Sequence, residues 1–385
     1  MTSTTLRLTG IPRTTTRREL SKAAGVSTDC ISLAPTDSSH NSVSTATITF
    51  GSKRAADKFR SVQRFKPAKC LGKRPNIDTE FLGLTVLSTS GDQDEVDLIA
   101  VHGLNGHAFS SWASGDRMWL RDFLPAQMPK TRIMTYGYNS SVWDKTSTTT
   151  IPEFAQGLLW AIINKRGRKE CNRPIIFVCH SLGGIIVKLA LNTALEDTQT
   201  AMISTVTHGI VFLATPHKGS DLACNSFLGI AAKALGVRED LILALCMNSG
   251  QLDDIENDFR LNHDGLDLAT FYETKKTKIA RVVSAFDHVI VERSSALLNV
   301  GADPRYPLER DHKQICKFAC QHDDDYKAVC NQILRMAEVA PHAVRTRAIK
   351  KALQMPQIST MIKFGGDTLR SYSSAWSDDC TLKLR

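Results

Sequence analysis

Ser181, a set of later carboxylates and His312 follow one another in the order serine, acid, histidine, far enough apart to come from different elements of a fold. Together those residue types do one kind of chemistry. A serine hydroxyl is a weak nucleophile near neutral pH, so it needs an imidazole to take its proton and a carboxylate to hold that imidazole in the right tautomer. Ser181 stands in Cys179-His180-Ser181-Leu182-Gly183-Gly184, after the apolar run Pro174 to Val178 and before Ile185, Ile186, Leu189 and Ala190, which recur at helical intervals. A buried strand that turns into a helix at a serine is the setting of a nucleophile elbow, which projects the hydroxyl above a sheet and aims the following N–H groups at a substrate. The usual G-x-S-x-G pattern has lost its first glycine to Cys179, small but carrying a Cβ.

The chain order restricts the base to histidines well after Ser181. His312 reads as part of a loop entering a helix, beyond a last strand at Val289 to Val291; His322, among Asp323, Asp324 and Asp325, reads as a solvated turn. Three carboxylates compete for the acid. Glu273 follows a strand over Leu266 to Tyr272, Asp287 stands just before the next strand, and Glu292 follows it; position favours Glu273 over Asp287. For an oxyanion, the loop His102-Gly103-Leu104-Asn105-Gly106-His107 offers the Leu104 N–H and the elbow offers that of Leu182. His312, Cys316 and Cys320 are spaced as one face of a helix with no fourth ligand, so no metal is read, and serine chemistry needs no organic cofactor.

Such a site needs a sheet beneath it. Strands are expected at Leu84 to Leu87, Asp97 to Val101, Arg132 to Tyr136, Pro174 to Val178, Gly209 to Leu213 and Leu266 to Tyr272. Helices are expected at Trp119 to Phe123 and from Ile151, where Thr150 can cap and Pro152 falls in the first turn. Leu222 to Cys246 is apolar with helical spacing, suited to a cover over an acyl chain or to a core helix pair. The alternation predicts an α/β fold with a mostly parallel sheet covered on both faces and a site at the strands' carboxyl ends.

The remaining sequence divides around this domain, read as 81–339. Residues 1–65 give the order βαββα of a small ferredoxin-like or RNA-recognition-like α+β region, in competition with a Thr- and Arg-rich targeting segment over the first eighteen residues. An RNA platform would place aromatic rings where Arg7, Thr45 and Thr47 stand, which argues against nucleic acid. Residues 66–80 read as a linker and 340–385 as a basic tail. The charge sits at the ends: residues 1–80 hold 14 Lys and Arg against 6 Asp and Glu, and 340–385 hold 8 against 3. Basic flanks allow peripheral contact with an anionic membrane. Ten cysteines without paired spacing, and no apolar leader or run of spanning length, point to a reducing intracellular setting with no transmembrane span.

In order, VHGLNG from Val101, WLRDFLP from Trp119, RIMTYGY from Arg132, FVCHSLGG from Phe177, FLATPHKGS from Phe212, FYET from Phe271 and DHKQICKF from Asp311 resemble the serine-active-site-containing lipase/esterase-like family, especially its fungal members. Cysteine before HSLGG is usual in such relatives. The resemblance implies an α/β-hydrolase fold, an esterase or lipid acyl-transfer role, Ser181 and His312 as nucleophile and base with Glu273 as acid, and an association with mitochondria or the endoplasmic reticulum. A second reading keeps the fold without the chemistry, as a signalling or membrane-associated scaffold.

Overall fold

The computed structural model describes residues 4–35, 43–72, 75–141, 149–167, 170–217, 249–263, 265–276 and 304–354. The chain forms two units, 1–344 and 345–385; of the second, the described residues are the helical 345–354.

Among the described residues the first unit contains a two-stranded ladder and two large sheets. The smaller is built from β1 (Thr5–Pro12), β2 (Ile31–Pro35), β3 (Val43–Thr49) and β4 (Asn76–Asp78), in the order β2-β3-β1-β4, with α1 (Arg17–Ala24) and α2 (Lys53–Phe65) between strands. β4 comes from the stretch read as a linker: Arg7, Leu8 and Thr9 of β1 pair antiparallel with Asp78, Ile77 and Asn76. Side-chain alternation gives this sheet two unlike faces. Leu6, Leu8, Ala46 and Ile48 pack with Leu20 of α1 and with Ala56 and Phe59 of α2 in one buried cluster. The opposite face meets the larger domain. Arg121 there donates to Thr49 Oγ1 at 2.8 Å, and Arg7 donates to Leu82 O at 2.8 Å and Thr85 Oγ1 at 3.0 Å.

The larger sheet comprises β5 (Gly83–Ser88), β6 (Val96–Val101), β9 (Thr131–Gly137), β10 (Ile175–His180), β11 (Thr207–Leu213), β12 (Asp267–Glu273) and β13 (Arg305–Leu308). A two-strand ladder, β7 (Ala113–Ser114) with β8 (Arg117–Met118), and the short helices α3 (Trp119–Asp122) and α4 (Leu124–Gln127) lie between β6 and β9. The strand order is β13-β12-β11-β10-β6-β9-β5, parallel throughout except that β5 runs antiparallel to β9. Helices α5 (Ile151–Lys165), α6 (Leu182–Glu196), α7 (Ala201–Val206), α8 (Ser249–Asn262) and α9 (Asp324–Gln354) complete the layers.

A parallel sheet covered on both faces buries its strands completely, and every residue of β6, β9, β10 and β11 is buried. Ile175, Phe177 and Cys179 meet Leu158, Leu159 and Ile162 of α5 and Ile186 and Leu191 of α6. Ile176 and Val178 face the other way, toward Trp112, Trp119, Tyr326 and Ile333. Full burial of each such aliphatic or aromatic side chain contributes roughly 1.5–3 kcal/mol. This doubly wound arrangement, antiparallel only at β5, is the α/β-hydrolase fold. At the amino ends of the strands a buried ionic cluster ties β6 to β9. Arg132 holds Asp97 through Nε at 2.9 Å and Nη2 at 2.7 Å, Glu170 takes its third contact at 2.9 Å, and Arg173 adds a second cation on Asp97 at 3.1 Å.

Chain order reverses direction between β6 and β10. β9 packs on one side of β6 and the chain then returns through α5 to place β10 on the other. The crevice at the carboxyl ends of β6 and β10 is therefore the topological switch point, the place where open α/β sheets bind ligands.

Candidate active site

Ser181 stands at that crevice, between β10 and α6. Its backbone has φ +53° and ψ −125°, a positive φ that a serine adopts only when the surroundings impose it. The imposition is visible on both sides. The Ser181 N–H donates to Leu213 O at 3.0 Å, and the carbonyl accepts from Gly184 N at 3.0 Å to open α6. α6 lies so close to β6 that a Cβ on Gly183 would collide with the Val101 and His102 carbonyls, and one on Gly184 would strike the Thr215 side chain. The two glycines thus permit the helix to start where it does. Cys179 occupies the position of the missing first glycine, wholly buried, and burial pushes its thiol well above the usual range, so it is an inert packing group.

Two of the histidine and acid candidates converge on the serine. His312 Nε2 lies 3.0 Å from Ser181 Oγ, and His312 Nδ1 lies 2.7 Å from Glu273 Oε2. An ionised carboxylate only accepts, so the proton sits on Nδ1 and leaves Nε2 as the acceptor facing the hydroxyl. All three side chains are buried: Ser181 is 2% exposed, Glu273 3% and His312 6%. Glu273 is the last residue of β12, and the chain carrying His312 is strapped to it. Thr274 N and Lys275 N donate to Leu308 O and Arg310 O, each at 3.1 Å, continuing the β12–β13 ladder to within two residues of His312. Arg310 anchors the far side through Asp325 at 2.6 Å, Asp323, and the Lys317 carbonyl at 2.8 Å.

His312 lies in a hydrogen-bonded turn rather than at the start of a helix, since α9 begins only at Asp324. The helical face expected for His312, Cys316 and Cys320 is therefore not formed. Among the described residues no group of His, Cys, Asp and Glu is arranged to hold a metal. His322 is exposed, as a solvated turn residue would be. The rival acids Asp287 and Glu292, the strand expected at Val289 to Val291 and the apolar stretch Leu222 to Cys246 lie outside the described residues. The strand that precedes His312 is β13, at the sheet's edge.

The loop after β6 closes the third side. A Cβ on Gly103 would stand 2.7 Å from Ser181 Cβ and 3.0 Å from His180 O, so the backbone there approaches the serine as only a glycine allows. Tyr138 Oη donates to His102 O at 2.7 Å, Asn105 N to Ser140 O at 3.0 Å and Gly106 N to Gly103 O at 3.0 Å, which fixes the loop. Among the described residues no backbone hydrogen bond engages the N–H of Leu104 or of Leu182.

Two further histidines, missed by a search for chain order, brace the site. His180 Nε2 donates to the His312 carbonyl at 2.9 Å, and His102 Nδ1 donates to Gly103 O at 2.9 Å while its ring stacks on Tyr138 with centroids 4.3 Å apart. Burial is the main force pushing each down to about 3, so both rings are neutral donors at physiological pH. The dipeptides His102-Gly103 and His180-Ser181 were the available signal: each puts an imidazole beside a residue of the turn. Seven residues into α6, Lys188 is buried against Glu256 of α8, with His217 Nδ1 2.6 Å from its ammonium. That contact joins the elbow helix to the loop after β11.

The fold and the serine at the switch point define an α/β-hydrolase. The family described as "Putative serine esterase (DUF676)" matches residues 93–300, more than half of the sequence, and the chain belongs to that family. Among curated proteins, Protein SERAC1 of Danio rerio is 27% identical over 246 residues, covering 58% of this chain and 36% of the relative. The Homo sapiens protein of that name is 26% identical over 248 residues with the same coverage. The chain thus spans about a third of the length of these relatives. Among solved structures, phospholipase PlaB from Legionella pneumophila superposes with a TM-score of 0.47 at 16% identity, over 72% of this chain and 68% of that one. The metagenomic carboxyl esterase MGS0156 gives 0.35 at 15% identity, over 67% and 76%. No helix among the described residues is long and apolar enough to cross a membrane.

Proposed function

We propose that this chain is a serine hydrolase of carboxylic esters, lipid esters included, and that Ser181, His312 and Glu273 are its catalytic triad. The observation that carries the reading is the relay from Ser181 Oγ through the His312 ring to Glu273 Oε2, at 3.0 and 2.7 Å. Nε2 takes the serine proton as Oγ bonds to the ester carbonyl carbon, and Glu273 stabilises the imidazolium that forms. The carbonyl oxygen becomes an oxyanion, held by the Leu104 and Leu182 N–H groups and favoured by the positive end of α6. Collapse of the adduct expels the alcohol, which leaves with the proton from Nε2. Water then attacks the acyl-serine with Nε2 as base, freeing the acid and restoring the serine. No step in this sequence calls on a metal or organic cofactor.

Turnover of 4-nitrophenyl esters of increasing acyl length tests the proposal and ranks the acyl preference together. Purified protein should release nitrophenolate, and Ser181→Ala should abolish release while the far-UV circular dichroism stays unchanged. Equal turnover by both proteins would overturn the assignment.

A further inference from the structure

We infer that the outward helical face of the N-terminal sheet is a docking surface for an anionic membrane. Small sheets of this topology have two faces on which to bind, and here one is taken. The face bearing Arg7, Thr47 and Thr49 is closed by the hydrolase domain through Arg121, Leu82 and Thr85. The other face is covered by α1 and α2, whose outer sides are left to solvent.

Those outer sides are strongly cationic. α1 and α2 together carry eight Lys and Arg against two acids, and all eight cations are exposed. Both acids are partly spent within the helices: Glu19 accepts from Thr16 N at 2.8 Å in a capping box, and Asp57 pairs with Arg60 at 3.4 Å. None of these cations is on the buried side of the pair, which is Leu20, Ala56, Phe59 and Gln63. At the last turn of α2, Phe65 is 86% exposed and Val62 48% exposed, flanked by Arg64 and Lys66. An aromatic ring standing free among cations suits an interface where the cations meet lipid phosphates and the ring enters the acyl boundary. The surface offers no row of aromatic rings on which successive bases would stack, which favours a bilayer over single-stranded nucleic acid. The inference does not depend on Ser181 being a nucleophile.

The test is co-sedimentation of the full chain, in the Ser181→Ala form so that no lipid is consumed, with vesicles of phosphatidylcholine alone or mixed with phosphatidylserine. The protein should sediment with the mixed vesicles only, and less as salt rises. Reversing Arg17, Arg18, Lys58 and Arg64 to Glu should lower the bound partition at least tenfold with an unchanged melting temperature, since all four are exposed. Phe65→Ser should lower it several-fold while leaving the salt dependence intact. Equal binding to neutral vesicles would overturn the inference. So would undiminished binding of the fourfold variant, which would assign the attraction to the basic C-terminal residues. Preference for a single-stranded oligonucleotide over anionic vesicles would make the surface a nucleic-acid site instead.

Discussion

The Nε2 of His180 lies 2.9 Å from the carbonyl oxygen of His312, so the residue before the serine holds the backbone of the residue that faces the serine's hydroxyl. One imidazole thereby ties the elbow to the turn carrying the other. Their rings lie 5.0 Å apart between centroids.

His180→Phe keeps the bulk and removes that donor. Freed from the elbow, the His312 turn should sample positions that break the 3.0 Å contact with Ser181. Ester turnover should fall roughly 10–100-fold in kcat with KM little changed, the size of a small misplacement of a catalytic group. Losing that hydrogen bond should also cost about 0.5–1.5 kcal/mol of stability. Steady-state kinetics with a urea melt read both; loss confined to KM would remove the positioning role.

Acid should destabilise the fold through His102 and His180. Their folded-state values of about 3 lie below the ordinary 6.5, because burial penalises the charged ring. Above pH 6.5 both states are neutral and stability is complete. Below it the unfolded chain binds protons that the folded chain refuses until about pH 3, so stability falls by about 1.4 kcal/mol per pH unit for each ring. Burial also lowers His107, His217 and His263, so urea melts at pH 7, 6 and 5 should show at least this slope, and His180→Phe should be shallower by one ring's share. An identical slope in the variant would refute the assignment.

Gly103→Ala tests the close approach of the β6 loop. The added methyl would stand 2.7 Å from Ser181 Cβ, so the loop or the elbow must shift. A shift of that kind should lower kcat by roughly tenfold or more while the protein still folds. Gly51→Ala, where no atom comes within 4 Å, is the control and should be silent. Matching activity in the two variants would contradict the geometry.

Asp97→Ala removes the centre of the ionic cluster at the far ends of the strands. Arg132 and Arg173 would be left buried beside the empty position, a loss of about 3–5 kcal/mol. Denaturant unfolding should show the loss. The fraction still folded should react with substrate at close to the parent rate, since the cluster lies at the opposite ends of β6 and β9 from Ser181. Near-parent stability would mean the arginines find other partners.

Much of the fold was legible in the amino-acid sequence. The elbow declares itself because one stretch must be apolar enough for a buried strand, small enough for a tight turn and periodic enough for a helix. The alternating fold follows from the apolar runs beginning at Asp97, Arg132, Pro174 and Gly209, each long enough for a strand and too short for a helix. β13 escaped because Arg305-Tyr306-Pro307-Leu308 is short, polar and contains proline, which a sheet tolerates at its edge, where this strand lies. β4 escaped for a related reason: three residues amid turn formers carry no periodicity, and only pairing with β1 makes them a strand. The turn around His312 read as a loop entering a helix, with His312, Cys316 and Cys320 at helical spacing, whereas α9 begins only at Asp324. For His180 the sequence offered only its place beside Ser181, since its partner is a backbone carbonyl 132 residues away.

The central claim is that Ser181 is an activated nucleophile driven by His312 and oriented by Glu273. Mass-spectrometric mapping of the adduct formed with a fluorophosphonate, compared among the parent, Ser181→Ala, His312→Ala, Glu273→Gln and Asp287→Asn, tests it most directly. The account predicts a single adduct on Ser181, absent in the first variant, slowed by roughly 10³-fold or more in the second and third, and undiminished in the fourth. A folded parent protein that takes no adduct, or one labelled equally fast without His312, would contradict it.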